Sequence, residues 1–184
     1  MSESSDVKMQ LVECDSKTEI KGLKGFNCGD GMMNNFIPQL KRQSSRDNIN
    51  ALLLLDEDSN LAGFVTATPY QLGRESIPEN TYPYAIPPTI VVMKVPMIAI
   101  DKKYQRQGWG HELLRAILDY SVESADFVKG IKGVYLDAKL EARAFYESFD
   151  FKALSETVSE YGTIPMFIPM DTLRESRESW EQSA

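Results

Sequence analysis

Two cysteines, one histidine and no long apolar run narrow what this 184-residue chain can be. Cys14 and Cys28 are too few and too unpatterned for a disulfide framework or a zinc site, so no metal is expected. His111 has no partner at a placed spacing, and a lone histidine makes no catalytic triad. No stretch approaches the roughly twenty apolar residues of a membrane span, and residues 1–7 are polar. The expectation is a cytosolic chain with neither membrane helix nor secretory signal. Gly-Lys-Ser/Thr is missing, and no third glycine follows Gly110 at the dinucleotide-binding spacing, which excludes the two commonest phosphate-loop patterns. No internal repeat is visible.

What is present suits one domain with a sizeable core, 42% of the residues being hydrophobic. The net charge of −7 is concentrated at the ends: residues 1–20 carry five acids against two bases, and residues 171–184 carry four against two. The intervening chain is near neutral. Its bases gather as Lys41, Arg42 and Arg46, as Lys102, Lys103 and Arg106, and as Lys129, Lys132, Lys139 and Arg143. Most such charges are solvated surface; the middle group flanks the loop described next.

Gln105-Arg106-Gln107-Gly108-Trp109-Gly110 lies between an apolar run at 90–100 and a segment of clean helical period. Successive backbone amides converge on an anion only where no Cβ blocks its approach, which is the reason for glycine here. They lead into a helix N-terminus, whose unpaired donors favour the same anion. Leu113, Leu114, Ile117, Leu118, Val122 and Ala125 mark one helix face, and Glu112, Arg115, Asp119 and Glu123 the other. The spacing predicts a diphosphate held on the amides of Gln107 to Gly110. Taken alone, the Gly-x-Gly turn is equally well a connection that binds nothing.

Hydrophobic period and turn residues give a coarse plan: strand 7–12, helix 31–43, a hairpin of 51–55 with 61–68 across the turn at 56–60, and a strand at 90–100 interrupted at Val95-Pro96-Met97. Helix 110–124, strand 133–138, helix 140–148 and a short strand at 166–169 follow. Residues 69–88 read as a loop of about twenty residues holding Tyr70, Tyr82 and Tyr84, long enough to suggest a substrate wall or partner surface beside the alternative of packing alone. Residues 1–6 and 174–184 look low in order, the latter with the makings of a marginal helix.

Ile98-Ala99-Ile100-Asp101 followed by Tyr104 to Gly110 resembles the acetyl-CoA signature of the GCN5-related N-acetyltransferases, Gln/Arg-x-x-Gly-x-Gly/Ala. Ala142-Arg143-Ala144-Phe145-Tyr146-Glu147-Ser148-Phe149-Asp150-Phe151 is similar to that family's Ala-x-x-Phe-Tyr-x-x-x-Gly-Phe helix, in the right order and spacing. Phe26-Asn27-Cys28-Gly29 and the proline-rich stretch with Pro78, Pro83, Pro87 and Pro88 narrow the likeness to the branch that includes acetyltransferase toxins of toxin–antitoxin pairs. It covers about residues 11–169, with residues 1–170 as one acetyltransferase domain and 171–184 as a polar tail.

The resemblance implies an α/β (α+β) fold with a mixed sheet of about six to seven strands, flanked by helices and splayed where acetyl-CoA binds. It assigns the pantetheine arm to backbone groups of Met97, Ile98, Ala99 and Ile100, opposite strand 133–138, and the diphosphate to Gln105, Arg106, Gln107, Gly108, Trp109 and Gly110. It makes Tyr146, which the helical wheel leaves open as a surface tyrosine, the acid that protonates the departing thiolate; a phenol of pKa near 10 matches a thiol without much energetic mismatch. The implied activity is acetyl transfer from acetyl-CoA to a primary amine by direct attack.

Departures from the family pattern bear on the acceptor and on competence. Met97 stands where the toxin branch has arginine, Ala138-Lys139-Leu140-Glu141 lacks the usual asparagine and looks one residue short, and no glutamate on 90–100 serves as base. Asp150 replaces a glycine, tolerable because aspartate enters the left-handed region at modest cost. The acidic total, the near-neutral core and Met97 rank a small-molecule or peptide amine above the α-amine of aminoacyl-tRNA, while Met97, the short segment and the missing acid leave a non-catalytic acyl-CoA- or partner-binding module as the alternative from another class. Besides tRNA, a ribbon-helix-helix antitoxin and a second copy of the chain are the partners the resemblance brings in.

Overall fold

The computed structural model describes residues 8–182; the expected disorder of residues 1–6, and Val7 of the first strand, lie outside them. Eight strands and four α-helices follow in order: β1 (Gln10–Glu13), α1 (Gly31–Ser45), β2 (Asn50–Leu55), β3 (Leu61–Gly73), β4 (Thr89–Lys94), β5 (Ile98–Ile100), α2 (Trp109–Phe127), β6 (Ile131–Lys139), α3 (Arg143–Glu147), β7 (Lys152–Ala153), β8 (Thr163–Pro169) and α4 (Met170–Gln182). The sheet order is β1-β2-β3-β4-β6-β8-β7, with β5 beside β3. All pairs are antiparallel except β4 with β6. The count exceeds six to seven because the two-residue β7 carries no period to read and because the 90–100 run is two strands.

By internal contacts the chain forms two compact units. The first holds the residues up to Ala67 and Met97–Ile117. Asp30 caps α1, its carboxylate accepting from the amides of Met32 and Met33, and α1 turns Ile37 and Leu40 inward. They meet Leu53, Leu55, Leu61, Phe64 and Ala99 in an apolar core. β5 pairs with β3 through Gly63, Phe64 and Val65. Gly63 permits that approach: a Cβ there would lie 2.6 Å from Ile100 Cδ1 and 2.9 Å from the Ala99 carbonyl oxygen.

The second unit holds Thr68–Pro96 and Leu118–Ala184. β4 runs parallel to β6, the last bond being Val95 N–H to the Tyr135 carbonyl at 2.9 Å. Leu72, Ile77, Tyr82, Ile90, Val92 and Phe167 form its apolar cluster. The expected loop at 69–88 begins later than its first proline suggests, because β3 continues to Gly73 and pairs Pro69 with Met93. β2 pairing ends at Ala67, so beyond it β3 has a strand on one flank only, where proline is tolerated. The polar tail expected at 171–184, with the makings of a marginal helix, falls largely within α4, with Leu173 and Met170 buried and Arg177 paired to Asp119 at 2.7 Å. Spacing of Met170, Leu173 and Ser176 on one face anchors this helix through packing rather than propensity. Helix 140–148 is a 3-10 turn, Leu140–Ala142, leading into α3.

Candidate active site

Fourteen consecutive residues of the first unit carry every residue expected to hold the cosubstrate. Met97 precedes β5, and its carbonyl accepts from Thr66 N–H at 2.9 Å. Ile98, Ala99 and Ile100 are β5 itself, bonded to β3 along one edge only. The β4 ladder to β6 ends at Val95, just before Pro96, which has no N–H to donate, and β5 pairs with β3 alone among the described strands. The second edge of β5 thus has backbone donors and acceptors that no described strand uses.

Asp101 turns the chain out of β5. It is 5% exposed, and its two carboxylate oxygens accept the amides of Asn27 and Lys103, each at 2.9 Å. Gln105 adds a second clamp, its side-chain amide donating to the carbonyls of Cys28 at 3.0 Å and Ile100 at 2.8 Å. Gln107 donates to the Lys103 carbonyl at 3.0 Å. Segment 26–29 is held in turn by Asn34, whose Oδ1 accepts from the amide and the thiol of Cys28. Cys28 is accordingly a packed, hydrogen-bonded residue near the start of α1.

Arg106 (φ 60°) and Gly108 (φ 88°) both take left-handed backbone, coiling the loop before α2. A Cβ on Gly108 would meet no atom within 4 Å, so the glycine answers to the backbone conformation and leaves open space over the loop. Trp109 and Gly110 are the first residues of α2, and the amides of His111 and Glu112 turn back to the Gly108 carbonyl. The amides before them are the ones a helix leaves without an internal partner. The indole N–H of Trp109 is buried without a hydrogen-bond partner among the described residues. Open space, unspent amides at a helix start and a vacant strand edge fit a diphosphate joined to an amide-bearing arm. All six predicted apolar positions of α2, Leu113, Leu114, Ile117, Leu118, Val122 and Ala125, are buried.

Tyr146 lies in the second unit, on α3. It is 8% exposed, packed edge-on against Phe145 at 5.1 Å and Phe151 at 6.0 Å. Burial pushes its phenol up to about 12, because the charged phenolate loses solvation there. The hydroxyl is therefore a proton donor throughout the neutral range. Asp150 follows α3 at φ 68°, left-handed as its replacement of glycine requires, and accepts from Ser176 Oγ at 2.6 Å.

The basic groups are partly committed to internal partners. Lys41 donates to the Thr18 carbonyl at 2.6 Å, Arg143 pairs with Glu147 and Glu156 at 2.7 Å each, and Lys132 bonds the Tyr84 hydroxyl at 2.8 Å beneath the Tyr82 ring. Residues that sequence reasoning left without a role are Asp101, Asn27 and Asn34. Asp101 and Asn27 each had a local signal, a side-chain oxygen two residues before an amide it accepts, that of Lys103 and of Gly29, the pattern of an Asx turn.

Strand, loop and helix, with a left-handed glycine, unspent amides and a free strand edge, suit an anionic cosubstrate of the kind an acyltransferase takes. The profile of the Acetyltransferase (GNAT) domain matches residues 27–173, and the chain belongs to that family. It is an N-acetyltransferase. Among its relatives is the tRNA-acetylating toxin of Mycobacterium tuberculosis (strain ATCC 25618 / H37Rv), 26% identical over 132 residues that cover 69% of this chain and 76% of the toxin. A crystal structure of a bacterial toxin is 28% identical and superposes with a TM-score of 0.87, covering 94% of this chain and 96% of that one. AtaT complexed with acetyl-methionyl-tRNAfMet is 22% identical with a TM-score of 0.76, covering 91% and 98%. A mutant of toxin AtaT bound to acetyl-CoA and the C-terminus of antitoxin AtaR is 22% identical with a TM-score of 0.73, covering 91% and 97%. Among the described residues no helix is long and apolar enough to cross a membrane.

Proposed function

We propose that this N-acetyltransferase draws its acetyl group from acetyl-CoA and delivers it to the α-amine of aminoacyl-tRNA, acting as the toxin of a toxin–antitoxin pair in the cytosol. The observation that carries the cosubstrate is the open, left-handed Gly108 loop at the start of α2. Support for the acceptor comes from the similarity to a tRNA-acetylating toxin and to AtaT. That likeness reverses the ranking drawn from net charge and Met97, since an aminoacyl α-amine is one of the primary amines the sequence allows.

When bound, acetyl-CoA supplies an activated thioester. Amides of Gln107 to Gly110 hold the diphosphate, with the α2 N-terminus adding its partial positive charge. Backbone groups of Met97 to Ile100 orient the pantetheine arm and polarise the thioester carbonyl, an interaction that strengthens as the oxygen gains charge. The substrate nitrogen, already neutral, attacks the carbonyl carbon; the carbon–sulfur bond breaks, the nitrogen sheds a proton to solvent, Tyr146 gives its phenolic proton to the sulfur, and the phenolate regains a proton from solvent. Burial keeps the Tyr146 phenol neutral and makes it a weaker acid than a free tyrosine, so the transfer to sulfur depends on its position rather than on a lowered pKa. An antitoxin of the ribbon-helix-helix class and a homodimer belong to the same proposal.

Expression of the protein in cells, followed by analysis of extracted charged tRNA, tests the acceptor. Growth arrest with acetylated α-amines, both abolished by Tyr146→Phe, is expected; acetylation confined to free amines or peptides, with charged tRNA untouched, would overturn it.

A further inference from the structure

The end of α2 and the starts of β6 and α4, all within the second unit, border a cavity of about 230 Å³ that neither the core nor the site above uses. Lys129, Gly130, Lys132, Asp171 and Arg174 line it, with Tyr82 as one wall. Lys132 is held there by rings: its Nζ lies 4.6 Å from the Tyr82 centroid and 4.8 Å from that of Tyr84, and it donates to the Tyr84 hydroxyl at 2.8 Å. The Tyr82 hydroxyl in turn donates to the Lys132 carbonyl at 2.9 Å, fixing ring and strand together. Arg174 is oriented by Asp126 at 2.7 Å and Asp171 at 3.2 Å. Lys129 is exposed, and its ammonium has no ion pair or hydrogen bond among the described residues.

Charge collects here in a chain whose total is −7: with Asp126 included, three cations face two carboxylates. The first turn of α4 borders the same space and adds the partial positive charge of a helix start. Gly130, at φ 105°, keeps the mouth clear, since a Cβ there would meet no atom within 4 Å. Lys94 of the same unit shows the contrast. It too lies over two tyrosines, Tyr70 at 4.7 Å and Tyr135 at 5.4 Å, but Asp137 neutralises it at 3.2 Å. Beside the cavity, Phe127 ends α2 two residues before Lys129 and is 91% exposed. An aromatic ring open to water next to unneutralised cations is the combination that unpaired nucleic acid takes, bases stacking on the ring while phosphates meet the cations.

We propose that this corner binds the backbone of an RNA: one phosphate enters the cavity between Lys129, Lys132 and Arg174, and an unpaired base stacks on Phe127. The inference rests on the proposed tRNA acceptor and adds a contact for the polymer rather than for its α-amine. The cations come from separate elements and meet at one small concavity, which suits a single compact anion; an acidic peptide would need them spread along a groove.

The test is binding of deacylated total tRNA, followed by fluorescence anisotropy between about 50 and 200 mM salt, a range over which phosphate contacts declare themselves. Melting midpoints check folding, and sedimentation velocity checks the oligomeric state. Lys129→Gln should weaken binding about fivefold and lower the slope of log K against log salt by about one, the loss of one phosphate contact. Phe127→Ala should weaken it about five- to tenfold and leave the slope unchanged, because stacking releases no counterion. Lys17→Gln removes the charge of an exposed lysine in the first unit and should bind as wild type does. Wild-type affinity and slope in Lys129→Gln, or equal losses in Lys17→Gln, would overturn the inference. So would dissociation of a dimer by Phe127→Ala, which would assign the face to a second copy of the chain. A melting midpoint raised by inorganic phosphate in a protein that does not bind tRNA would assign the cavity to a free anion and overturn it as well. Binding as expected with no acetylated α-amine on charged tRNA would count against the proposed acceptor and leave this contact standing.

Discussion

The roles proposed for the Met97–Gly110 segment and for Tyr146 of the second unit rest on opposite means. In the first, recognition is done by backbone: a strand edge, a left-handed glycine and the amides of a helix start, all within fourteen consecutive residues. In the second, the proposed role falls to the side chain of Tyr146 on α3, and its property comes from burial. Backbone sites tolerate many side chains but few conformations. Side-chain sites tolerate conformational drift poorly and depend on register. Substitutions should therefore fail differently in the two regions.

The largest effect should come from the second. Tyr146→Phe removes one hydroxyl and should lower kcat about a hundredfold or more, the range for general-acid catalysis, while acetyl-CoA affinity measured by titration calorimetry stays near wild type. Wild-type kcat in that variant would show that the hydroxyl is not the acid.

Next comes Gly108, where conformation and bulk can be separated. Gly108→Val adds a branched side chain at φ 88° and should lose both acetyl-CoA binding and about 1–2 kcal/mol of stability. Gly108→Asn tolerates left-handed backbone, so it should keep the melting midpoint closer to wild type yet still weaken binding at least tenfold, on the order of 1.4 kcal/mol. Unchanged affinity in the asparagine variant would mean that the open space over the loop is not where the diphosphate lies.

Smaller again is Gln105→Leu, which strips two bonds to the Cys28 and Ile100 carbonyls and should cost about 1–2 kcal/mol, visible in chemical denaturation. An unchanged denaturation midpoint would show that the loop holds without this clamp.

The pH dependence of Tyr146 sharpens the same contrast. Its pKa is raised to about 12 in the folded protein against about 10 unfolded, so the unfolded chain loses its proton first. The stabilising contribution of the neutral phenol is fully present below about pH 10 and is lost as pH rises toward 12. Burial raises Tyr82, Tyr104 and Tyr135 as well, so spectroscopic titration should show one delayed tyrosine fewer in Tyr146→Phe than in wild type. Correspondingly, kcat should show no Tyr146-dependent fall between pH 7 and 10. The smallest effect belongs to Arg143→Met: its partners Glu147 and Glu156 are solvent-exposed, and the melting midpoint should not move measurably.

Legibility in the sequence followed the same division. The buried face of α2, the hairpin of β2 and β3, the break at Pro96 and the left-handed Asp150 were all readable, because each depends on period or on residues a few positions apart. β7 was missed because two residues carry no period, and α4 was undervalued because its stability comes from buried Leu173 and Met170 rather than from its polar composition. The true extent of β3 was hidden by Pro69, which reads as a loop signal unless the flank it lies on is known.

Local order along the chain was enough to determine the left-handed loop before α2, the helix itself and the family resemblance, since glycine spacing, motif and helical period are properties of neighbouring residues. Tertiary structure alone decided that Asp101 would clamp Asn27 across 74 positions, that Tyr146 would be buried enough to hold its proton, and that Lys94, Tyr70, Tyr135 and Asp137 would meet. Solvation and Coulomb interactions depend on distance in space, and strand register, which sets those distances, is fixed by pairings that no short stretch of sequence contains.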